Sequence, residues 1–135
     1  MNIETYLDEN PNCARTFASF RLIGQPPFDP AEVTSRIGID PDTTTRLRSR
    51  GGWLITSEHR LDTTSIERHL RVLLDLLEPH KAAILALIED ADLRADFFCL
   101  WRSATGHGGP EISPATLARI AALRASLGFD FYSTE

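Results

Sequence analysis

The stretch Arg94–Ser103 constrains the fold more than any other part of the chain, because its five middle residues, Phe97 to Trp101, are all apolar. A strand that is apolar on both faces is typical of the centre of a sheet, with a neighbouring strand on each side. We therefore expect Trp101 in the core, and we expect Cys99 to behave as a small buried hydrophobe. The longest nearly apolar stretches of the chain, Arg71–Leu77 and Ala82–Ile88, are far shorter than the ~20 residues that span a bilayer, so we predict no membrane segment.

Alternating apolar and polar residues predict further strands on both sides of this one. The predicted strands are Ala14–Ile23, Thr43–Arg50, Trp53–Thr56, Glu111–Ile112 and Phe129–Tyr132. Thr43–Arg50 and Trp53–Thr56 are separated by Gly51-Gly52, a pattern that indicates two short strands or one bulged strand. The short strand at 111–112 is expected to pair after a glycine-rich turn.

Two helices are predicted by the same signal, an N-cap residue followed by proline at the first helical position. Asp29-Pro30 begins a helix that should run to about Gly38, and Ser113-Pro114 begins a helix that should run toward Gly128.

A longer helix is predicted between them, where Thr64-Ser65-Ile66-Glu67 forms a capping box and leucines recur at helical spacing to Leu77. Pro79 removes a backbone donor and ends or kinks this helix, and Ala82–Ile88 resumes a helical pattern. We therefore expect a broken helix pair.

The predicted order is β-α-β-β-α-α-β-β-α-β, which favours an α+β fold with a mainly antiparallel sheet and helices packed on one face. Residues 1–12 form an irregular lead-in, and residues 13–135 form a single domain. The two halves echo each other, as Phe17–Arg21 resembles Phe98–Arg102 and Pro30-Ala31 resembles Pro114-Ala115. A ferredoxin-like duplication and the convergence of good strands and helix starts explain this echo equally well.

Charge and composition exclude several classes of protein. The chain of 135 residues has 14 basic and 19 acidic side chains, a formal net charge of −5, which disfavours nucleic-acid binding. The N-terminal segment lacks a basic region followed by an apolar one, so we predict no secretory signal and a cytoplasmic location. The two cysteines, Cys13 and Cys99, lie in different contexts and predict no disulfide framework.

The sequence predicts no metal site, no cofactor and no catalytic residue. Its histidines and cysteines show none of the spacings of known zinc sites. No Gly-x-Ser-x-Gly elbow occurs, and a nucleophilic cysteine would need an accessible site. His69 and His80 are expected to be partly exposed packing residues.

Arginines supply the sharpest charge feature. Arg46, Arg48 and Arg50 recur at every second position, so an extended strand would project all three from one face, with Arg60 as a fourth. An acidic partner could neutralise them, or they could protect an edge strand from aggregation. Edge pairing of Thr43–Arg50 could also build a homodimer.

Two further residues are candidates for a binding site. Trp53 follows two glycines, so it is either a core residue, as tryptophans more often are, or a partly exposed residue that anchors an interface. His107 lies in the loop Thr105–Gly109, where it could act as an acid or base, although a glycine-rich hairpin turn explains the loop more simply.

Segments spread along the chain carry a family resemblance by their order and spacing. They are Phe17–Arg21, Phe28-Asp29-Pro30, Ile37-Gly38-Ile39, Gly51-Gly52-Trp53, Leu77-Glu78-Pro79, Phe98–Trp101, Gly106–Gly109, Ile112-Ser113-Pro114 and Phe129–Tyr132. With them the chain resembles the bacterial domain-of-unknown-function family numbered 4279, over about residues 14–133. The resemblance implies the α+β architecture and a bacterial origin, and it carries no catalytic pattern.

Two function hypotheses follow. The first is a small non-enzymatic protein-binding domain, the immunity or antitoxin partner of a toxin, acting as a monomer or homodimer without nucleic acid or membrane. The second is a domain that binds or transforms an anionic small molecule with Arg46, Arg48, Arg50 and His107.

Overall fold

A computed structural model describes residues 10–46 and 49–133, which form one five-stranded sheet with helices packed on one side. The strands are β1 (Cys13–Gly24), β2 (Thr43–Arg46), β3 (Gly51–Thr56), β4 (Arg94–Ser103) and β5 (Ala125–Ser133). The helices are α1 (Pro30–Ile37), α2 (Ile66–Leu77), α3 (Lys81–Asp90) and α4 (Pro114–Ala122), with a 3-10 turn at Glu78–His80. The predicted α+β class is confirmed.

The strand order is β2-β3-β1-β4-β5. β1 pairs antiparallel with β3 and β4, β2 pairs antiparallel with β3, and β4 pairs parallel with β5. The apolar strand β4 therefore has a neighbour on each side, as its sequence predicts, and α4 makes the crossover to β5.

The core lies between the sheet and the helices. On the sheet side it includes Phe20, Trp53 and Phe97, all fully buried, and the rings of Phe20 and Phe97 lie 5.1 Å apart. The helices contribute the apolar stripe of α2, whose fully buried leucines are Leu70, Leu73, Leu74 and Leu77. The spacing of these leucines is the one that predicts the helix.

The helix starts follow the predicted chemistry with one correction. Asp29 caps α1 by accepting a hydrogen bond from the Ala31 amide, and Gly38 ends α1 at a φ of 84°. The N-cap of α2 is Ser65, which accepts from the Arg68 amide. Glu67 does not complete a capping box there, because its carboxylate is held by α4.

The C-terminal part contains two further differences from the predictions. Residues 111–112 form no strand, because both sides of β4 are already occupied by β1 and β5. α4 ends at Ala122 instead of continuing to Gly128, since Arg124 adopts a φ of 56° and β5 begins at Ala125. The last strand therefore starts four residues before the predicted one.

The segment from Thr43 to Thr56 forms two short strands, β2 and β3, and this confirms the first of the two alternatives, two short strands or one bulged strand. β2 ends at Arg46, so Arg50 does not lie on it, and Arg48 lies outside the described residues. The expected ladder of arginines on one strand face is therefore wrong for Arg46 and Arg50.

Of the predicted lead-in, residues 1–9 lie outside the described part of the chain, and residues 10–12 contact the loop after β4. The Asn10 side chain donates to the Gly109 carbonyl, and the Asn12 carbonyl accepts from the Ala104 amide.

Both halves of the chain begin with a strand and a helix, but the first continues with an antiparallel hairpin and the second with a parallel strand. The duplication stays a prediction. Across residues 10–46 and 49–133, every helix is too short or too polar to cross a bilayer.

Candidate functional site

Two of the predicted arginines line one concavity. Arg46 and Arg50 border a space of about 600 Å³, together with Asp29 and Glu32 of the α1 start and a wall formed by Pro26 to Phe28. Arg46 Nη2 lies 3.2 Å from Asp29 Oδ1, and both side chains are more than half exposed. The lining of the concavity thus contains two carboxylates and two guanidinium groups, so its formal charges are balanced.

The other predicted site residues lie elsewhere. Arg60 binds Asp42 and the Thr56 carbonyl at the far end of the β2–β3 hairpin. Burial raises the pKa of the Asp42 carboxyl, but the Thr56 amide and Arg60 outweigh it and hold that pKa below its usual value. Arg60 therefore has a structural partner inside the fold.

Trp53 is fully buried, so of the two alternatives it is a core residue, and the prediction that it belongs to a binding site is wrong. It lies on the helix side of β3, opposite Leu22, and its indole donates to Thr34 Oγ1 at 3.1 Å. Gly51 before it has a different role, since a side chain at this position would collide with the Phe28 ring. Trp53 is a core residue and cannot anchor an interface.

His107 and the arginine concavity lie at opposite ends of the sheet. His107 follows the end of β4, which pairs with the start of β1, whereas Gly51 pairs with Gly24 at the other end of β1. A strand of 12 residues at about 3.3 Å per residue separates the two ends by roughly 35 Å. His107 therefore cannot act on a ligand bound by Arg46 and Arg50.

A buried serine–histidine pair lies between the sheet and α2, with Ser57 directly after β3 and His69 on α2. Ser57 Oγ is 2.7 Å from His69 Nδ1, and His69 Nε2 is 3.0 Å from the Thr63 carbonyl. The histidine therefore donates through Nε2 and accepts the serine hydroxyl at Nδ1, while Ser57 also accepts from the Ala18 amide. Burial lowers the pKa of His69, which agrees with a neutral ring. Both residues are at most 1% exposed, so the pair joins β1, β3 and α2 and offers no nucleophile to a substrate.

The burial of His69 also corrects the expectation that it is partly exposed. Twelve positions separate it from Ser57, and no local pattern marks the pair. The one available signal is that His69 directly precedes Leu70 within the apolar stripe of α2.

Glu67 is a second buried polar residue. Its carboxylate accepts from the hydroxyls of Ser113 and Thr116 at 2.5 and 2.7 Å and from the Ser113 amide at 3.1 Å. Arg71 Nε lies 3.8 Å away on the next turn of α2. Glu67 therefore fastens the start of α4 to α2.

The face of the sheet turned away from the helices carries charged and apolar side chains together, and we call it the open face. No element within residues 10–46 and 49–133 packs on it. Strand register assigns to it Arg15, Phe17, Arg21 and Ile23 of β1, Leu54 of β3, Arg94, Asp96, Phe98, Leu100 and Arg102 of β4, and Asp130 and Tyr132 of β5.

Arginine–aromatic stacks occupy the two central strands of the open face. The Arg21 guanidinium lies 4.4 Å from the centre of the Phe98 ring, and that of Arg15 lies 5.4 Å from Phe17. Arg21 also forms a two-pronged ion pair with Asp96, at 2.7 and 2.6 Å. The hydrogen bond to Asp96 raises the pKa of Arg21. These contacts hold the guanidinium groups in place over the partly buried rings of Phe17 and Phe98.

The open face is more positive than the rest of the molecule. It carries four arginines and two aspartates in a chain whose net charge is −5. Within the described ranges, Arg94 and Arg102 are exposed and form no ion pair. A recess of about 400 Å³ borders this face, between Arg15 and Phe17 of β1 and the loop 61–64.

The metal and thiol chemistry of the described residues is limited. No group of three histidine, cysteine or acidic side chains in that part of the chain could hold a metal ion. Burial raises the pKa of the Cys99 thiol to about 12, and it also raises the pKa of Cys13. Both thiols are therefore poor nucleophiles.

Comparison with known proteins gives one match. A family model described as "Domain of unknown function (DUF4279)" matches residues 14–134, which is most of the chain and covers β1 to β5. No curated protein and no solved structure matches the sequence significantly.

Proposed function

The chain belongs to the family of the domain of unknown function DUF4279, and from that premise we propose that it is a non-enzymatic protein-binding domain whose partner docks on the open face. The observation that carries this proposal is the pair of arginine–aromatic stacks, Arg21 on Phe98 and Arg15 on Phe17, on a face that no described element covers. Arginine and aromatic side chains are the residues that contribute most to protein interfaces.

The chemistry of the open face indicates the chemistry of the partner. Arg94 and Arg102 present unpaired guanidinium groups near the two ends of β4, with the partly buried Phe98 and Leu100 between them. A surface with carboxylates on both sides of apolar side chains would neutralise the arginines and bury the rings. The recess beside Phe17 could receive a side chain of the partner.

We propose further that the partner is a bacterial toxin and that the chain acts as its immunity protein in the cytoplasm. Two observations support this proposal. The chain has a net charge of −5, and the side chains that could act as nucleophile or base, Ser57, His69, Cys13 and Cys99, are buried where no substrate can reach them. Binding that masks a surface of the toxin needs no catalytic group. This reasoning is by analogy of size and composition.

The test combines binding with growth. The product of the neighbouring gene is expressed with and without this chain, and we expect a 1:1 complex and rescue of growth. Arg102→Glu should weaken both, whereas the matched control Arg124→Glu, an exposed arginine outside the open face, should weaken neither. A lack of both complex and rescue would reject the immunity role, and equal effects of the two variants would reject the open face as the docking surface.

A second function is favoured by the concavity at Arg46 and Arg50. Two guanidinium groups on one wall suit a small anionic ligand such as a nucleotide or an organic phosphate. The neighbouring Asp29 and Glu32 oppose a highly charged anion, and His107 is too distant to take part. Nucleotides and organic phosphates should then raise the melting temperature of the wild type and not that of the double variant Arg46→Gln/Arg50→Gln. Equal shifts, or none, would remove this candidate.

A further inference from the structure

The sheet has two edges of very different character. The β2 edge is four residues long, and all four, Thr43 to Arg46, are exposed and polar. The β5 edge is nine residues long and contains one charged residue, Asp130. Phe131 and Tyr132 on β5 are 57% and 46% exposed, the two most exposed large apolar side chains among those described.

Strands at a sheet edge present unpaired backbone groups that template the addition of another strand. Soluble proteins usually protect such edges with lysine, proline, a bulge or very short strands. β5 contains no lysine and no proline, pairs with β4 in unbroken register, and extends over nine residues. We propose that β5 is a dimerisation strand, which pairs antiparallel with β5 of a second copy of this chain.

The sequence of β5 is self-complementary about Phe129. On the helix side of the sheet the strand presents Leu127, Phe129 and Phe131. A two-fold axis at Phe129 places each Leu127 opposite Phe131 of the second copy and each Phe129 opposite its equivalent. Directly opposed side chains in antiparallel strands are roughly 5 Å apart at Cβ, so Phe131 loses its exposure in this register.

Charge also favours a second copy as the occupant. In this register the Asp130 carboxylate lies opposite Gly128, which has no side chain, so the two aspartates do not oppose each other. The strand offers no second charge with which a foreign partner could be selected, whereas a symmetric dimer needs only a surface that complements itself. The same pairing leaves the open faces of both copies uncovered, on one side of a continuous sheet.

The aromatic residues at this edge are already ordered. The Phe131 ring stacks on Phe129 at 5.4 Å and meets Trp101 edge-on at 6.0 Å. Trp101 is 1% exposed, so it supports the cluster from within the fold. An exposed ring that is held in one place loses little conformational freedom when a partner covers it.

The oligomeric state of the full chain tests the proposal. Light scattering with size-exclusion chromatography should give about 30 kDa, twice the chain mass of 15.1 kDa. Phe131→Lys should give a monomer with an unchanged circular dichroism spectrum, because the side chain is exposed in the single chain. The matched control Leu76→Lys, at an exposed leucine of α2, should remain a dimer.

Cysteine substitution tests the register and does not depend on the stability of Phe131→Lys. Both cysteine variants carry Cys99→Ala as well, because Cys99 lies beside position 129 on β4 and would compete for its thiol. In this background Phe129→Cys places a thiol beside its equivalent and should yield a disulfide-linked dimer under mild oxidation, whereas Ser126→Cys should not. A monomeric wild type at about 0.1 mM would overturn the proposal. So would a dimer that persists in Phe131→Lys, or one linked equally well through both positions.

Discussion

Phe97 and Phe98 are neighbours on β4, yet they lie in opposite environments. Phe97 points to the helices, is fully buried and meets Phe20 at 5.1 Å. Phe98 points to the open face, where it is partly buried and its ring centre lies 4.4 Å from the Arg21 guanidinium. Both faces of β4 thus carry apolar side chains, but one face packs in the core and stabilises the fold, while the other remains available to a partner.

The largest predicted effect comes from truncating these two rings. Phe97→Ala removes a ring from the packed core and should lower the free energy of unfolding by about 3–5 kcal/mol. Phe98→Ala leaves its site open to water and should cost about 1–2 kcal/mol, because Phe98 is only partly buried and no closed cavity remains. Urea unfolding of both variants measures the difference. Equal losses would mean that the open face is as well packed as the core.

A smaller difference is expected between the buried acids of the two faces. Glu67→Ala leaves the hydroxyls of Ser113 and Thr116 without their acceptor in the interior and should cost about 2–3 kcal/mol. Asp96→Ala releases Arg21, which can turn to solvent, and should cost about 1 kcal/mol or less. Urea unfolding decides this too, and a larger loss for Asp96→Ala would contradict the comparison.

Acid sensitivity should come from the covered side of the sheet. Burial lowers the pKa of His69 in the folded chain, so below about pH 6.5 the unfolded chain takes up a proton that the folded chain does not. The free energy of unfolding should therefore fall between pH 6.5 and 5.5. The carboxyls of Asp42 and Glu78, whose pKa values are lowered, add their losses only nearer pH 4.

Variants identify the histidine that is responsible. His69→Gln should flatten the dependence between pH 6.5 and 5.5, and His107→Gln, in an exposed turn, should leave it as in the wild type. Unfolding curves at the two pH values are sufficient. A wild-type slope in His69→Gln would assign the sensitivity to another group.

The smallest effect is expected at the arginine concavity. Arg46 and Asp29 are more than half exposed and form one ion pair at 3.2 Å. Exposed pairs contribute about 0–1 kcal/mol, so Arg46→Gln should change the free energy of unfolding by no more than about 0.5 kcal/mol. A loss above 1 kcal/mol would show that this end of the molecule supports the fold.

Local patterns predicted the elements well where the period was clear. The bounds predicted for β4, Arg94–Ser103, are those of the structure, and Asp29 and Ser113 cap their helices. The start of β5 was not predictable, because Ala125-Ser126-Leu127 continues a helical pattern and only the turn at Arg124 breaks it.

The candidate surfaces were much less accessible to sequence reasoning. Phe17 and Phe98 look like core residues in the sequence, since nothing local tells which face of a doubly apolar strand the helices will cover. The bonds from Glu67 to Ser113 and from His69 to Ser57 join positions 46 and 12 apart, so they arise only from the tertiary fold. The recurrence of arginine at every second position, by contrast, is a local pattern, and it correctly indicated an exposed segment, the turn end of the β2–β3 hairpin.

The central position of β1 has a consequence for how the chain is made. Of the five strands of the sheet, β1 leaves the ribosome first, but its neighbours are β3 and β4, and the latter ends at Ser103. The nascent strand therefore remains unpaired on both sides until β3 emerges, and on one side until β4 has emerged as well. Such distant pairing slows folding, so the growing chain has a long interval in which Phe17 and Phe20 are open to aggregation or to chaperones.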